Sequence, residues 1–133
     1  MQIVIFNIND EQFAIEASMV QGINDIMRIT KVHKAPKHIK GLINLRGSIV
    51  SLLDINMLLN MKDSNQKQNN IIILKLKEEQ VAIMVDQVDE VLAIKEDIIE
   101  RVTEKEVASY HKGIINLKGR IVTLIDINKL LKK

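Results

Sequence analysis

Two aspartates, Asp54 and Asp126, stand in nearly identical surroundings: INLRGSIVSLLDIN at residues 43–56 returns as INLKGRIVTLIDIN at residues 115–128. Matched carboxylates from two related halves are the raw material of an acid–base dyad, because two like charges held close share one proton. Their surroundings argue for a humbler role. Each is followed by Ile-Asn and a helical apolar pattern, not by small residues that would admit a substrate, so each reads as a helix N-cap. The histidines fare no better as metal ligands. His33 and His38 are five apart across Pro36, which is not a helical ligand spacing, and His111 stands alone. No serine sits in a nucleophile elbow. The five glycines, Gly22, Gly41, Gly47, Gly113 and Gly119, are scattered and build no phosphate loop. The absence of cysteine removes disulfides, thiol catalysis and cysteine metal sites together, and suits a reducing cytoplasm. The sequence therefore predicts no catalytic residue, no metal site and no cofactor. What remains is a cation that differs between the two copies, Arg46 in one and Lys118 in the other. Arginine offers a planar, permanently charged group suited to a carboxylate or a protein surface.

The elements that must carry these residues follow from the repeat. Lys40 to Leu59 aligns with Lys112 to Leu131 at an offset of 72, and Asp10 to Ile15 aligns with Glu78 to Ile83 at an offset of 68. Each copy has the same order: a strand pair, a connecting region, a second strand pair and a short helix. Gln2 to Ile8 and Gln12 to Ala17 flank a turn at Asn9-Asp10-Glu11; Ile71 to Leu76 and Val81 to Val85 flank Lys77-Glu78-Glu79. Val20 to Ile29 and Val88 to Ile94 read as longer strands leading away. Ala35-Pro36-Lys37 is a break. Ile43 to Leu45 and Ile49 to Leu53 form a tight hairpin around Arg46-Gly47, where glycine supplies a positive φ. Helices are expected at Ile55 to Met61 and Ile127 to Leu131. The polar run 62–70 reads as a linker between a first repeat at residues 1–61 and a second at residues 71–133. The acidic stretch from Val85 to Glu106 reads as solvated strand edges and turns. The strand IVSLLDI is apolar on both faces, which predicts that it is covered on both sides, one face filling its own barrel and the other packing on the sister barrel.

Composition bounds the function classes. Of 133 residues, 47% are apolar and 27% charged, which is a folded composition. Nineteen basic and seventeen acidic side chains leave a net charge of +2, with no basic block to neutralise phosphates. The aromatics are Phe6, Phe13 and Tyr110, too few for a base-stacking face. Nucleic acid is not an expected partner. No apolar run approaches the roughly 20 residues needed to span a bilayer, and no signal peptide is visible at the N-terminus. The six methionines read as core or helix-face filler.

Taken together, Asn44-Leu45-Arg46-Gly47, Ile49-Val50-x-Leu52-x-Asp54-Ile55, the run from Val81 to Leu92 and the matching end of the second copy resemble the CheW family of chemotaxis coupling proteins over essentially the whole chain, Ile3 to Leu131. The resemblance implies a mostly β fold: two intertwined SH3-like β-barrels related by duplication, short helices including one at the C-terminus, and strands exchanged between barrels. It implies a non-enzymatic adaptor that is cytoplasmic and associated with membrane receptor arrays. Its expected partners are the regulatory domain of the histidine kinase CheA and the cytoplasmic tip of methyl-accepting chemoreceptors, with no insertion into the membrane. A CheW-like adaptor in a motility or developmental two-component pathway is the alternative. The length argues against a full CheA kinase or a CheV protein. By the same resemblance the receptor-binding candidates are Arg46, Gly41, Val20, Ile71 and Val91. The chain also departs from the family pattern. Gly22 stands where many members carry a glutamate that pairs with the arginine, which leaves Arg46 either less fixed or served by another acid such as Asp25, and Ser51 stands where proline is frequent.

Overall fold

The structure, a computed structural model, describes residues 1–101 and 110–131. Eleven strands are described: β1 (Gln2–Ile8), β2 (Glu11–Glu16), β3 (Val20–Asp25), β4 (Ile39–Leu45), β5 (Ser48–Leu53), β6 (Asn70–Lys75), β7 (Gln80–Val85), β8 (Gln87–Ala93), β9 (Ile99–Glu100), β10 (His111–Leu117) and β11 (Arg120–Ile125). Two short helices, α1 (Ile55–Leu58) and α2 (Ile127–Leu131), close the two halves. The strands form two sheets, ordered β8-β1-β2-β11-β10-β9 and β3-β6-β7-β5-β4. These are the two SH3-like barrels, and each draws strands from both halves of the chain. After β2 the chain leaves the first sheet for β3 in the second, and after β7 it leaves the second for β8 in the first.

The pleat explains why the apolar runs are unbroken. Along β1, Ile3 and Ile5 point into one barrel with Ala14, Ile115, Val122 and Leu124. Val4, Phe6 and Ile8 point the other way, into a seam shared with Ile72, Leu74, Val81 and Ile83 of the second sheet. The second barrel is filled by Ile43, Val50, Leu52, Ile71, Ile73 and Ala82. Four strands, β1, β2, β6 and β7, are thus buried on both faces, and alternation disappears where both faces are covered. The expectation for IVSLLDI holds only at its end. Val50 and Leu52 fill the barrel and Leu53 reaches the seam, but Ile49 is 64% exposed and its counterpart Ile121 is 54% exposed. The strand begins beyond the edge of the sister barrel, so its outer face has nothing to pack on there.

Turn and cap chemistry follow the sequence closely. Asn9-Asp10, Arg46-Gly47 and Lys118-Gly119 all take positive φ at both positions, which matches the twist of a two-residue hairpin. Asn44 Oδ1 accepts from Gly47 N at 2.8 Å, and Asn116 Oδ1 from Gly119 N at 3.0 Å. Asp54 and Asp126 are N-caps, accepting from Met57 N and Lys129 N at 3.2 Å. Two elements are shorter than expected. The strand from Val20 ends at Asp25 and not at Ile29, and α1 ends at Leu58 and not at Met61, where Asn60 turns to positive φ.

The polar segment 62–70 is fastened along its length. Asn9 Nδ2 donates to the carbonyl of Lys62 at 2.9 Å, Asn56 Nδ2 to the same carbonyl at 2.9 Å, and Ser64 Oγ to Asp86 Oδ1 at 2.5 Å. Asp86 lies where the chain crosses from β7 to β8. Only 3% exposed, it also accepts from Asn9 N at 2.9 Å. The acidic stretch is therefore not wholly solvated, because one of its members is a buried acceptor at the crossover; its residues 102–106 lie outside the described residues.

Two glycines are fixed by packing. A Cβ on Gly41 would come within 2.6 Å of Ile29 and 2.7 Å of the Thr30 carbonyl, and one on Gly113 within 2.5 Å of Ile99. Gly41→Ala and Gly113→Ala are each expected to lower stability by about 1–3 kcal/mol, read by urea unfolding, since the close strands must move apart. Asp86→Ala, which strands the Asn9 amide and the Ser64 hydroxyl, is expected to cost about 1–3 kcal/mol in the same assay. Burial lowers the pKa of His111 from its ordinary 6.5. The unfolded chain then takes up the proton first, so stability is full above 6.5 and falls as pH drops through the folded value. His111→Gln is expected to flatten the urea midpoint against pH in that window.

Candidate protein-binding site

The ends of the two barrels near the Arg46 and Lys118 turns are built from matching residues and finished differently. In the barrel that carries Lys118, Arg120 spans the mouth. Its Nε donates to Gln12 Oε1 at 2.7 Å, its NH2 to Asp89 Oδ2 at 2.6 Å, and its NH1 to Glu90 Oε2 at 3.4 Å. Asp89 is pushed toward this cluster by a bulge, since the register of β8 on β1 skips it between Glu90 and Val88. The repeat offsets map these residues onto the other barrel one by one: Arg120 onto Ser48, Gln12 onto Gln80, Asp89 onto Gln21, Glu90 onto Gly22. There the network is replaced by an amide pair, Gln80 Nε2 donating to Gln21 Oε1. Gln21 occupies the same bulge, skipped between Val20 and Gly22. What remains is a hollow of about 430 Å³ bordered by Gly22, Asn24, Leu45, Arg46, Ser48 and Ile73.

Arg46 projects from the turn at φ 53°, a left-handed conformation that costs a non-glycine residue about 1–2 kcal/mol. It is exposed, and among the described residues it makes no hydrogen bond or ion pair. Of the other candidates, Val20 is half-buried at the start of β3, on the same sheet and at the same end as the Arg46 turn. Val91 is 53% exposed but belongs to β8, the edge of the other sheet. Gly41 is buried, and its lack of a side chain is accounted for by Ile29 and Thr30. Ile71 is fully buried in the second barrel and offers no surface to a partner. Asp25 does not replace the missing acid; it pairs with Asn70 at the far end of β3 from Gly22. Ser51 sits inside the ladder between Leu42 and Val81.

Several surface features were not singled out from the sequence, although Val91 itself was. Ile49 and Ile121 occupy matching positions, and so do Ile23 and Val91, and all four are exposed. Each barrel thus displays apolar side chains at the same two positions. The Arg120 cluster was also missed, although the signal was present in the repeat as the pairings Ser48 with Arg120 and Gly22 with Glu90. Among the described residues no group of three or more His, Cys, Asp or Glu side chains is placed to hold a metal ion. Nor is any helix there long and apolar enough to cross a membrane.

Comparison with known proteins gives one answer throughout. A chemotaxis protein CheW from Klebsiella aerogenes is 31% identical over 134 residues, covering 98% of this chain and 81% of that protein. A chemotaxis protein CheW from Thermotoga maritima is 28% identical, covering 99% of this chain and 88% of that one. The crystal structure of the scaffolding protein TtCheW from Thermoanaerobacter tengcongensis superposes with a TM-score of 0.87 at 26% identity, covering 99% of this chain and 92% of that one. The CheW-like domain family matches residues 2–133. With the exchanged strands, the duplicated barrels and the Asn-Leu-Arg-Gly turn all in place, the chain belongs to the CheW-like domain family.

Proposed function

We propose that this protein is a non-enzymatic adaptor of bacterial chemotaxis, holding the cytoplasmic tip of a chemoreceptor and the regulatory domain of the kinase CheA on one body. Residues 1–61 and 71–133 act as two halves of a single domain, with 62–70 joining them. The protein works in the cytoplasm, at receptor arrays, and reaches the membrane only through its partners. The observation that carries this reading is membership of the CheW-like family along residues 2–133, with relatives that are named chemotaxis proteins.

The site geometry supports it. Arg46 is held out on a rigid two-residue turn, and Val20 lies at the same end of the same sheet. The paired apolar residues on the two barrels offer separate patches for a second partner. Two such surfaces on one shared core fix the relative orientation of whatever binds them. Signals then pass as a bias in fit, of about 1–3 kcal/mol in allosteric systems generally.

The test is calorimetric titration with the CheA regulatory domain and, separately, with a receptor-tip fragment from the same organism. Wild type is expected to bind both. Arg46→Glu is expected to retain the kinase domain and to lose receptor affinity by about tenfold or more, the loss of a charged contact plus a new repulsion. Binding to neither partner by the wild type would overturn the adaptor reading.

A further inference from the structure

The two barrel mouths differ in a way that nothing in the fold requires. Gly22 has no positive φ, and a Cβ built on it meets only Asn24 Oδ1, at 3.4 Å, which is ordinary contact. Backbone geometry and packing both admit a side chain there, in contrast to Gly41 and Gly113. At the matching place in the other barrel, Glu90 stands at the mouth and pairs with Arg120. Gly22 therefore withholds a carboxylate from a place where the fold admits one. Among the described residues the opening lies beside a cation with no acid of its own, since those bordering it supply Arg46 and neutral amides but no carboxylate.

We infer that the open mouth of the Arg46 barrel receives an acidic side chain from the docked partner, a glutamate or aspartate whose carboxylate takes the Arg46 guanidinium. This rests on the reading that Arg46 faces the receptor. A guanidinium fork and a carboxylate match in plane and spacing, and the pair strengthens when water is excluded. The side-chain amides of Gln21, Gln80 and Asn24 supply further donors around the entering oxygens. The partner thus provides in trans what Glu90 provides within the chain for Arg120.

The same comparison explains how a duplicated fold distinguishes its two ends. The other mouth is larger, about 850 Å³, and is bordered by Asp10, Glu11, Asp86, Asp89 and Glu90 against the single Arg120. An acidic side chain arriving there meets net negative charge, with the one cation already engaged. Like-charge juxtaposition is an effective rejection device. The acidic residue of the partner therefore selects the Arg46 barrel over its near-copy.

The experiment uses the full chain and the receptor-tip fragment as probe, with Gly22→Glu, Gly22→Gln and Arg46→Gln compared by calorimetry. Glu and Gln fill the mouth equally and differ in charge. Gly22→Glu is expected to bind about tenfold more weakly than Gly22→Gln, because its carboxylate occupies Arg46 from within. Equal affinities for the two, with Arg46→Gln impaired, would overturn the inference and leave the receptor reading standing. Arg46→Gln binding like the wild type would overturn both. A second arm is independent of folding at position 22: each Glu and Asp of the receptor fragment is changed singly to its amide. One such change is expected to weaken binding to wild type by about tenfold and to leave binding to Arg46→Gln unaltered. A scan in which no change behaves in this way would overturn the inference.

Discussion

The structure depends on a seam that neither half can make alone. Val4, Phe6, Ile8, Phe13 and Ile15 from one sheet meet Ile72, Leu74, Val81, Ile83 and Val85 from the other, and Ile55, Leu58, Ile127 and Leu130 of the two helices pack against the same cluster. A unit of about 60 residues buries too little surface to be robust by itself, and joining two across a common apolar layer relieves that limit. Exchange of strands makes the joint obligatory. Because β3 belongs to the second sheet and β8 to the first, separating the barrels would break hydrogen-bond ladders as well as apolar contacts. Asp86 and the 62–70 segment hold the second crossover with polar contacts where the apolar layer ends.

A fold stabilised at its centre can leave its periphery to other uses. Most residues that fill barrels and seam match in apolar character between the copies; Met84, whose counterpart is Glu16, is an exception. The divergence gathers at the mouths, where Ser48 replaces Arg120, Gly22 replaces Glu90 and Gln21 replaces Asp89 relative to the second copy. None of these positions contributes to the three apolar clusters. Arg120 is 39% exposed at its side chain, and ion pairs at that exposure contribute about 1 kcal/mol or less. The difference between the mouths therefore costs the fold little, while it changes the sign of the local charge.

The sequence made the hairpins, the caps and the duplication legible because each is a local signal. Asn-Leu-Arg-Gly specifies a turn through four adjacent residues, and Asp54 caps its helix through an amide three residues away. The repeat then extended those local readings to a whole architecture. What escaped were relations across the chain. Whether Ile49 is covered depends on how far the sister barrel reaches, not on the alternation of its own strand. Ile71 reads as an available apolar position until its barrel is seen to close over it. Arg120 finds Gln12 across 108 residues of sequence, and Asp86 finds Asn9 across 77. No window on the chain contains both members of such a pair.

The glycines show where the physical argument is sharpest. Gly41, Gly47, Gly113 and Gly119 each have a stated reason, a close approach or a positive φ. Gly22 has neither, so its reason must lie outside the folded chain or in what the chain leaves room for. A residue the fold does not need, set at a mouth with an arginine that has no ion pair among the described residues and matched by a copy whose arginine is engaged by its own acids, is the arrangement expected of a site completed by another molecule. In a duplicated scaffold such a site has a further consequence. The second copy is a built-in reference, alike in topology and opposite in charge at its mouth, so charge alone can select between the two ends.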